Sequence, residues 1–284
     1  MKLRVATCKT LPEVDVDEAP LAAAFAAAKV DVELLAWDDP IVDWDLPIPT
    51  LLRSTWNYAL DVAGFLSWID RAAEAAPLWN PREVVHANVH KRYLLELAAR
   101  GVDVVPTTLI ERGGTCDLAE IAKRYGTAKL VIKPEVGAGS LGTRVFTIGR
   151  PMTNPTPRAH LGALTARGAA LVQPYIESVD GYGERSLVWI DGALSHAIRK
   201  KPRFVGDIER IEGPMEIADD ERELAEAALA PVAQQLLYGR VDMARDAANR
   251  PVVMELELVE PSLFLGRQPG SADRLVAALC KRLA

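Results

Sequence analysis

The sequence predicts an α/β protein assembled from two or three smaller pieces, and three observations carry that reading. Strand-like and helix-like stretches alternate through the first 85 or so residues in the βαβ order of parallel sheets. Further on, a strand runs into a glycine-rich turn and out into a second strand, and the chain closes on two more strand patterns. With 284 residues and 49% apolar side chains, the chain can bury a sizeable core, and two ordinary domains would account for its length.

Each element has its own local reason. Residues 3–8, Leu-Arg-Val-Ala-Thr-Cys, read as a strand, and the alanine-rich stretch 17–29 has strong helix propensity behind an acidic start. Residues 30–34 return to strand alternation, and 47–52 lead into Arg53-Ser54-Thr55-Trp56-Asn57-Tyr58. Residues 61–74 have helical spacing with Phe65, Trp68 and Ile69 on one side. A second unit opens with a helix over 89–100, stopped by Gly101 as a C-cap. Strands are expected at 130–133 and 143–148 around the glycine turn, and the proline-rich stretch 151–157 reads as a loop. Beyond it come a strand from Leu171 into Gln173-Pro174-Tyr175, a hairpin around Asp191-Gly192, a basic loop at 199–210 and a helix over 219–237 interrupted near Pro231. The seams between such α/β pieces are natural ligand sites.

Composition narrows the partners. The 33 basic and 39 acidic residues leave a formal charge of −6, which offers no broad footprint for a phosphate backbone, so nucleic acid is not the expected partner. Val5–Cys8 is followed at once by Lys9, so no secretory h-region forms. The longest apolar run, 21–28, falls far short of the roughly 20 residues that span a bilayer, so no membrane partner and a cytoplasmic location are expected. Cys8, Cys116 and Cys280 lack metal-ligand spacing and read as reduced, small apolar side chains.

The most informative stretch is 251–261. Strand alternation puts Val252, Met254, Leu256 and Leu258 on one face and Val253, Glu255, Glu257 and Val259 on the other, with the two carboxylates about 7 Å apart. Like charges at that spacing are costly to bury without cations, which points to a metal. Residues 237–244 read as the preceding strand, and a hairpin pivoting near 248 sets Asp242 opposite 254 or 255. An oxygen-only set of Asp242, Glu255 and Glu257 suits Mg²⁺.

The segment 129–146 holds Gly137, Gly139 and Gly142 in a GxGxxG pattern, with Ser140 between them. A dinucleotide fingerprint would open a helix and meet an acidic residue ~20 positions later, but Thr143–Ile148 is strand-like and position 162 is glycine. No Gly-Lys-Ser/Thr follows, so a Walker A loop fails as well. What survives is a hairpin whose bare backbone N–H groups close over phosphates, with Lys133 as a point charge beside them.

Taken in order, these residues resemble the ATP-grasp superfamily, in its glutathione-synthetase-like branch, over nearly the whole chain. Asn88-Val89-His90-Lys91 looks like the family's first nucleotide lysine and Lys133 its second. Gln173-Pro174-Tyr175-Ile176 resembles the adenine hinge, with Glu184 in the place of a ribose or hinge acid, and Gln173 departs from the acidic residue many relatives carry there. Gly239-Arg240-Val241-Asp242 with Glu255-Leu256-Glu257 looks like the metal end. The resemblance implies three parts: an N-terminal substrate domain (1–87), a small lid with the glycine flap (88–173) and a C-terminal α+β domain (174–284). It implies ATP and Mg²⁺ as cofactors and a substrate carboxylate that attacks the γ-phosphate, giving an acylphosphate that an amine opens. In that chemistry Arg240 steadies the transferred phosphoryl group or the acylphosphate oxygen, as positioned cations do.

Arg53-Ser54-Thr55-Trp56-Asn57-Tyr58, the turn Leu78-Trp79-Asn80-Pro81 and the stretch 255–262 are similar to the subgroup that contains D-cycloserine ligases, which close O-ureido-D-serine into a ring. Arg53 would grip a carboxylate at a strand's C-terminal end, with Ser54, Thr55, Trp56 and Ser262 beside it, while Arg199 and Lys200 would meet substrate or γ-phosphate. The expected partner is a small-molecule carboxylate, and superfamily relatives suggest a homodimer. Two alternatives are a ligase that modifies a peptide or protein and a nucleotide-binding regulatory module without catalysis; retention of Lys91, Lys133, Asp242, Glu255 and Glu257 speaks against the second.

Overall fold

The computed structural model describes residues 2–149, 155–201 and 210–283. The first sheet forms from β1 (Lys2–Thr7), β2 (Asp31–Ala36), β3 (Thr50–Leu52) and β4 (Leu78–Trp79), all parallel in the order β2-β1-β3-β4. Its crossovers carry α1 (Glu18–Ala27) and α2 (Val62–Ala75), the latter capped by the Asp61 carboxylate, which accepts the Gly64 N–H at 2.9 Å. Phe65, Trp68 and Ile69 are buried on α2 as their spacing predicts.

Of the helix expected over 89–100, Tyr93–Ala99 forms α4, ended by Gly101 at φ +84°, and a further helix that the sequence reading lacks, α3 (Arg82–Val89), precedes it. The chain breaks at 90–92 because its backbone is drawn away from the helix: the Lys91 N–H donates to the Glu135 carbonyl at 3.0 Å. The break sets Lys91 inward at 9% exposure.

The second sheet is antiparallel, in the order β5-β8-β6-β7, from β5 (Thr108–Ile110), β6 (Lys129–Pro134), β7 (Arg144–Thr147) and β8 (Ala170–Pro174), with α5 (Leu118–Arg124) and α6 (Pro157–Thr165) packed on it. Residues 151–154 of the expected proline loop lie outside the described residues. After α7 (Ser178–Gly181) comes the third sheet, order β11-β10-β9-β12-β13: β9 (Glu184–Ile190), β10 (Ala193–Lys201), β11 (Arg210–Met215), β12 (Tyr238–Arg245) and β13 (Pro251–Glu257). Arg199 and Lys200 therefore lie on a strand, where a basic loop was expected, and 202–209 of that loop fall outside the described residues. One face of this sheet packs on α8 (Asp219–Leu229) and the closing helix α9 (Ser271–Leu283) covers the first unit. Sequence inspection missed α9, although Leu275, Val276 and Leu279 repeat at helical spacing and are buried.

The first and third sheets share a core. Leu3, Val5, Leu51 and Trp79 pack with Val188, Ile190, Leu237 and Tyr238 and with Leu275 and Leu279 of α9. Buried polar groups stitch the same seam: the Asn80 amide donates to the carbonyls of Tyr238 (2.8 Å) and Leu258 (2.7 Å) and accepts from the Leu237 N–H (2.9 Å). The second sheet has its own core around Ile110, Ile121, Leu130, Ile132, Phe146 and Leu161. Among the described residues, no helix is long and apolar enough to cross a membrane.

Candidate active site

Strand register collects the site. Within β9, Glu184, Ser186 and Val188 share a face, and pairing sets Lys200 of β10 opposite Glu184, Asp242 of β12 opposite Ser186 and Arg240 opposite Val188. On β13, Glu255 lies opposite Asp242 and Glu257 opposite Arg240. The ladder is irregular between Asp242 and Met243, where Met243 pairs with Val253 and Asp242 with Glu255, leaving Met254 as the extra residue of a bulge. The bulge resets the alternation. Val253, expected on the carboxylate face, packs instead with Leu256, Leu258, Val241 and Met243 on the α8 side.

Buried carboxylates on this face are held by cations. Arg240 grips Asp242 through Nε (2.8 Å) and Nη2 (2.7 Å), meets Glu257 at 2.5 Å and donates from Nη1 to the Ser262 carbonyl at 2.9 Å. Lys200 bridges Glu184 and Asp242, the latter at 3.1 Å. Burial opposes ionisation of Asp242, yet Arg240 and Lys200 hold its carboxyl far below the usual range. Glu255 meets the same penalty and is held down to about 2 by Lys133 and Lys91. Compensation is poorer at Glu257, pushed up to about 8 by burial, and at Glu184, pushed up to about 7, with the Asp242 charge adding to both and Arg240 and Lys200 pulling the other way.

Lys133 reaches this face from β6 of the second sheet, and Lys91 from the break between α3 and α4. Lys133 ends β6 and its ammonium lies 2.8 Å from Glu255; Lys91 lies 3.7 Å from the same carboxylate and donates to the Gly137 carbonyl at 2.6 Å. The flap needs backbone that glycine supplies at Gly139 (φ +57°) and Gly142 (φ +75°), and Ser140 also adopts positive φ. Val136 and Ala138 of the flap pack against the first unit beside Tyr58 and Phe65. Glu135, which sequence inspection passed over, anchors this corner: its carboxylate is 6% exposed, accepts from Arg92 and lies 3.4 Å from His90.

The hinge residues lie at the end of β8 and just beyond it. Gln173 is buried and donates through Nε2 to the Thr107 hydroxyl at 2.8 Å, while the Tyr175 hydroxyl donates to Asp180 and its ring lies 5.3 Å from the Lys129 ammonium. Ile176 accepts the Val179 N–H at the start of α7.

The substrate-side residues divide. Arg53 is 2% exposed and its Nη2 is taken by Asp17 (2.9 Å) and the Pro261 carbonyl (3.0 Å), so it does not stand open at the strand end as expected; among the described residues Nε and Nη1 have no partner. The neighbouring Ser54 hydroxyl pairs with Thr7, the buried Thr55 hydroxyl has no partner among the described residues, and Trp56 Nε1 donates to the Glu260 carbonyl at 2.9 Å. Ser262 meets the site through its carbonyl on Arg240. Arg199 is a correction. Its register partner is Arg185, whose guanidinium holds Glu221 of α8, so alternation turns Arg199 away from Lys200 and Asp242; it pairs with Glu212 instead.

Among the described residues no three acidic, His or Cys side chains stand ready as a metal cage, because cations occupy Asp242, Glu255 and Glu257. The donor set nevertheless fits a hard divalent ion. It is oxygen-only, Glu257 and Glu184 remain under-compensated, and phosphates would draw the lysines off the carboxylates, freeing them for a cation.

Comparison with known proteins places this geometry among its relatives. A family model described as "D-cycloserine synthetase DcsG, N-terminal domain" matches residues 3–80. Over its length the chain is similar to the cycloserine biosynthesis protein DcsG of Streptomyces lavendulae, 35% identical over 291 residues and 95% of each protein. The crystal structure of D-cycloserine synthetase DcsG superposes with a TM-score of 0.89 at 34% identity, covering all of both chains. The ATP-grasp ligase PsnB, solved with a phosphomimetic variant of its minimal precursor, Mg and ADP, shares the fold at a TM-score of 0.64 and 17% identity, over 99% of this chain and 98% of that one.

Proposed function

The chain belongs to the D-cycloserine synthetase family of ATP-grasp ligases, and from that premise we propose that it closes a small amino-acid-like molecule, O-ureido-D-serine, into a ring through its own activated carboxylate. It is an enzyme, an ATP-dependent ligase that forms carbon–nitrogen bonds. The observation that supports the substrate reading is the meeting of Lys91, Lys133 and an arginine–carboxylate cluster in a chain whose residues 3–80 match the DcsG N-terminal domain.

In this reading Lys91 and Lys133 leave Glu255 to hold phosphates, the backbone of 137–142 with Ser140 closes over them, and Gln173, Tyr175 and Ile176 border adenine, with Glu184 beside the ribose or, with Lys200, beside the phosphates. Asp242, Glu255 and Glu257 would hold Mg²⁺, which neutralises phosphate charge during transfer. Arg240, already pointed across the cluster, steadies charge on the transferred group. The substrate carboxylate takes the γ-phosphoryl group as ADP leaves, and the internal nitrogen then displaces phosphate and gives up its proton. Arg53 acts by position: with Asp17 it fixes the backbone at Pro261 that carries Ser262.

The test is ADP release with purified enzyme, MgATP and O-ureido-D-serine, with mass spectrometry of the cyclised product. The reading requires ADP and ring in equal amounts. ADP formed only with a peptide acceptor would overturn it in favour of a peptide-modifying ligase.

A further inference from the structure

The segment after β13 is fastened at nearly every backbone group by side chains from elsewhere. Asn80 holds the Leu258 carbonyl, Trp56 that of Glu260, Arg53 that of Pro261 and Arg240 that of Ser262, while the Asp17 carboxylate accepts the N–H groups of Leu263 (2.5 Å) and Leu265 (2.7 Å). In the middle of this framework the side chain of Glu260 is 8% exposed and makes no ion pair among the described residues. Lys91, Arg240 and Arg53 act on it through space, and it in turn acts on the buried hydroxyls of Tyr58 and Tyr238, which places it between the first unit and the carboxylate cluster.

A carboxylate taken out of water without a cation is costly, and such groups persist where a ligand completes them. A hard divalent ion held by one carboxylate must keep several waters, for which a side chain 8% exposed leaves little room. Glu260 suits a compact, singly charged donor.

We propose that Glu260 receives the α-ammonium group of the substrate. This rests on the small amino-acid reading above and sharpens it. In an α-amino acid the ammonium and the carboxylate are two bonds apart, so an ammonium seated on Glu260 delivers the carboxylate beside Arg240, whose Nη1 is bound two residues away at the Ser262 carbonyl. One anchor thus selects for the amine and orients the reacting group, the positioning that most favours an intramolecular closure. Burial pushes Glu260 up to about 7, with Lys91 and Arg240 pulling down, so a bound ammonium would supply the missing compensation.

The experiment compares wild type and Glu260→Gln, each with MgATP and with either O-ureido-D-serine or its analogue lacking the α-amino group, reading ADP release and calorimetric affinity. Near-ultraviolet dichroism verifies that the variant is folded. The expected result is an affinity loss of about 10- to 100-fold for O-ureido-D-serine in the variant and no difference between the two proteins toward the desamino analogue. Equal discrimination against the analogue by both proteins would overturn the assignment, as would a variant that binds the amine normally and loses only turnover. Failure of the wild type itself to turn over O-ureido-D-serine strikes the substrate reading instead, and the assignment falls with it.

Discussion

Glu255 shows how much one side chain carries. It answers two ammonium groups, Lys133 of β6 at 2.8 Å and Lys91 of the α3–α4 break at 3.7 Å, so Glu255→Gln removes the charge that aligns both lysines and, in the proposed reading, one metal oxygen. We expect a folded protein whose kcat/KM for ATP falls by about 100- to 1,000-fold; near-normal ADP release would remove Glu255 from the site. Glu260→Gln makes the opposite kind of prediction, on stability. The folded carboxyl titrates near 7 against an ordinary 4.5, so the native state binds the proton more tightly than the unfolded chain, and its contribution is full below about pH 4.5 and lost as pH rises through 7. Without ligands the Gln variant should therefore resist urea better than wild type at pH 8, by an amount on the order of 3 kcal/mol, and the gap should shrink toward pH 5. Denaturation curves at the two pH values decide it. Residue types were the legible part of the sequence: Asp242, Glu255 and Glu257 stand out because charge recurs where strands should be apolar, Lys133 because it ends an apolar strand before the glycine turn, and Lys91 through the family resemblance. Glu135 and Glu260 do not, since a glutamate next to proline in a loop carries no periodicity to mark it; only burial distinguishes them.

At the scale of elements, two irregularities build the site, and neither follows from periodicity. The β12–β13 bulge lets Glu255 face Asp242 while Val253 joins the α8 core, so strict alternation gave the right face for both glutamates and the wrong one for Val253. Register to within one residue was all the turn chemistry could supply, and the bulge is that one residue. The break between α3 and α4 is likewise made by a distant partner, Glu135, through its carbonyl on the Lys91 N–H and its carboxylate on Arg92. Helix propensity over 89–100 is unbroken, so local sequence could not announce it. Arg199 failed for a related reason: a charge-rich stretch read as a loop has no faces, whereas a strand sends neighbouring residues to opposite sides. If the Glu135 clamp positions Lys91, Glu135→Ala should raise the KM for ATP by about tenfold or more and change kcat much less. Steady-state kinetics with varied ATP will show it, and an unchanged KM would mean that the break holds without the clamp.

On the scale of the whole molecule, the first and third sheets form one body, and the second keeps most of its core to itself. Tyr238 illustrates the joint: its ring is in the shared core, and its hydroxyl lies 2.8 Å from the carbonyls of both Leu52 and Val259. The second sheet has a core of its own and meets that body through Leu171 of β8 and Leu109 of β5, which join the third sheet's core, through Lys91 and Lys133 on Glu255, and through the flap's Val136 and Ala138 on the first unit. Ion pairs at Glu255, whose side chain is 27% exposed, add less against solvent screening than a shared core does, so the second sheet should open at a lower free energy than the body unfolds. Native-state hydrogen exchange should then show β5–β8 amides exchanging at least about tenfold faster than those of β1, β9 and β12. MgATP analogue alters that balance through the same residues: phosphates replace Glu255 as partners of the lysines, and a cation replaces the lysines as partner of the carboxylates, so lid and body become bound to one ligand. Protection of β5–β8 should rise toward that of the body when analogue and Mg²⁺ are present together, and much less with analogue in EDTA, where four acidic side chains would face the phosphates uncompensated. Equal protection with and without the metal would show that the carboxylates take no part in closing the lid.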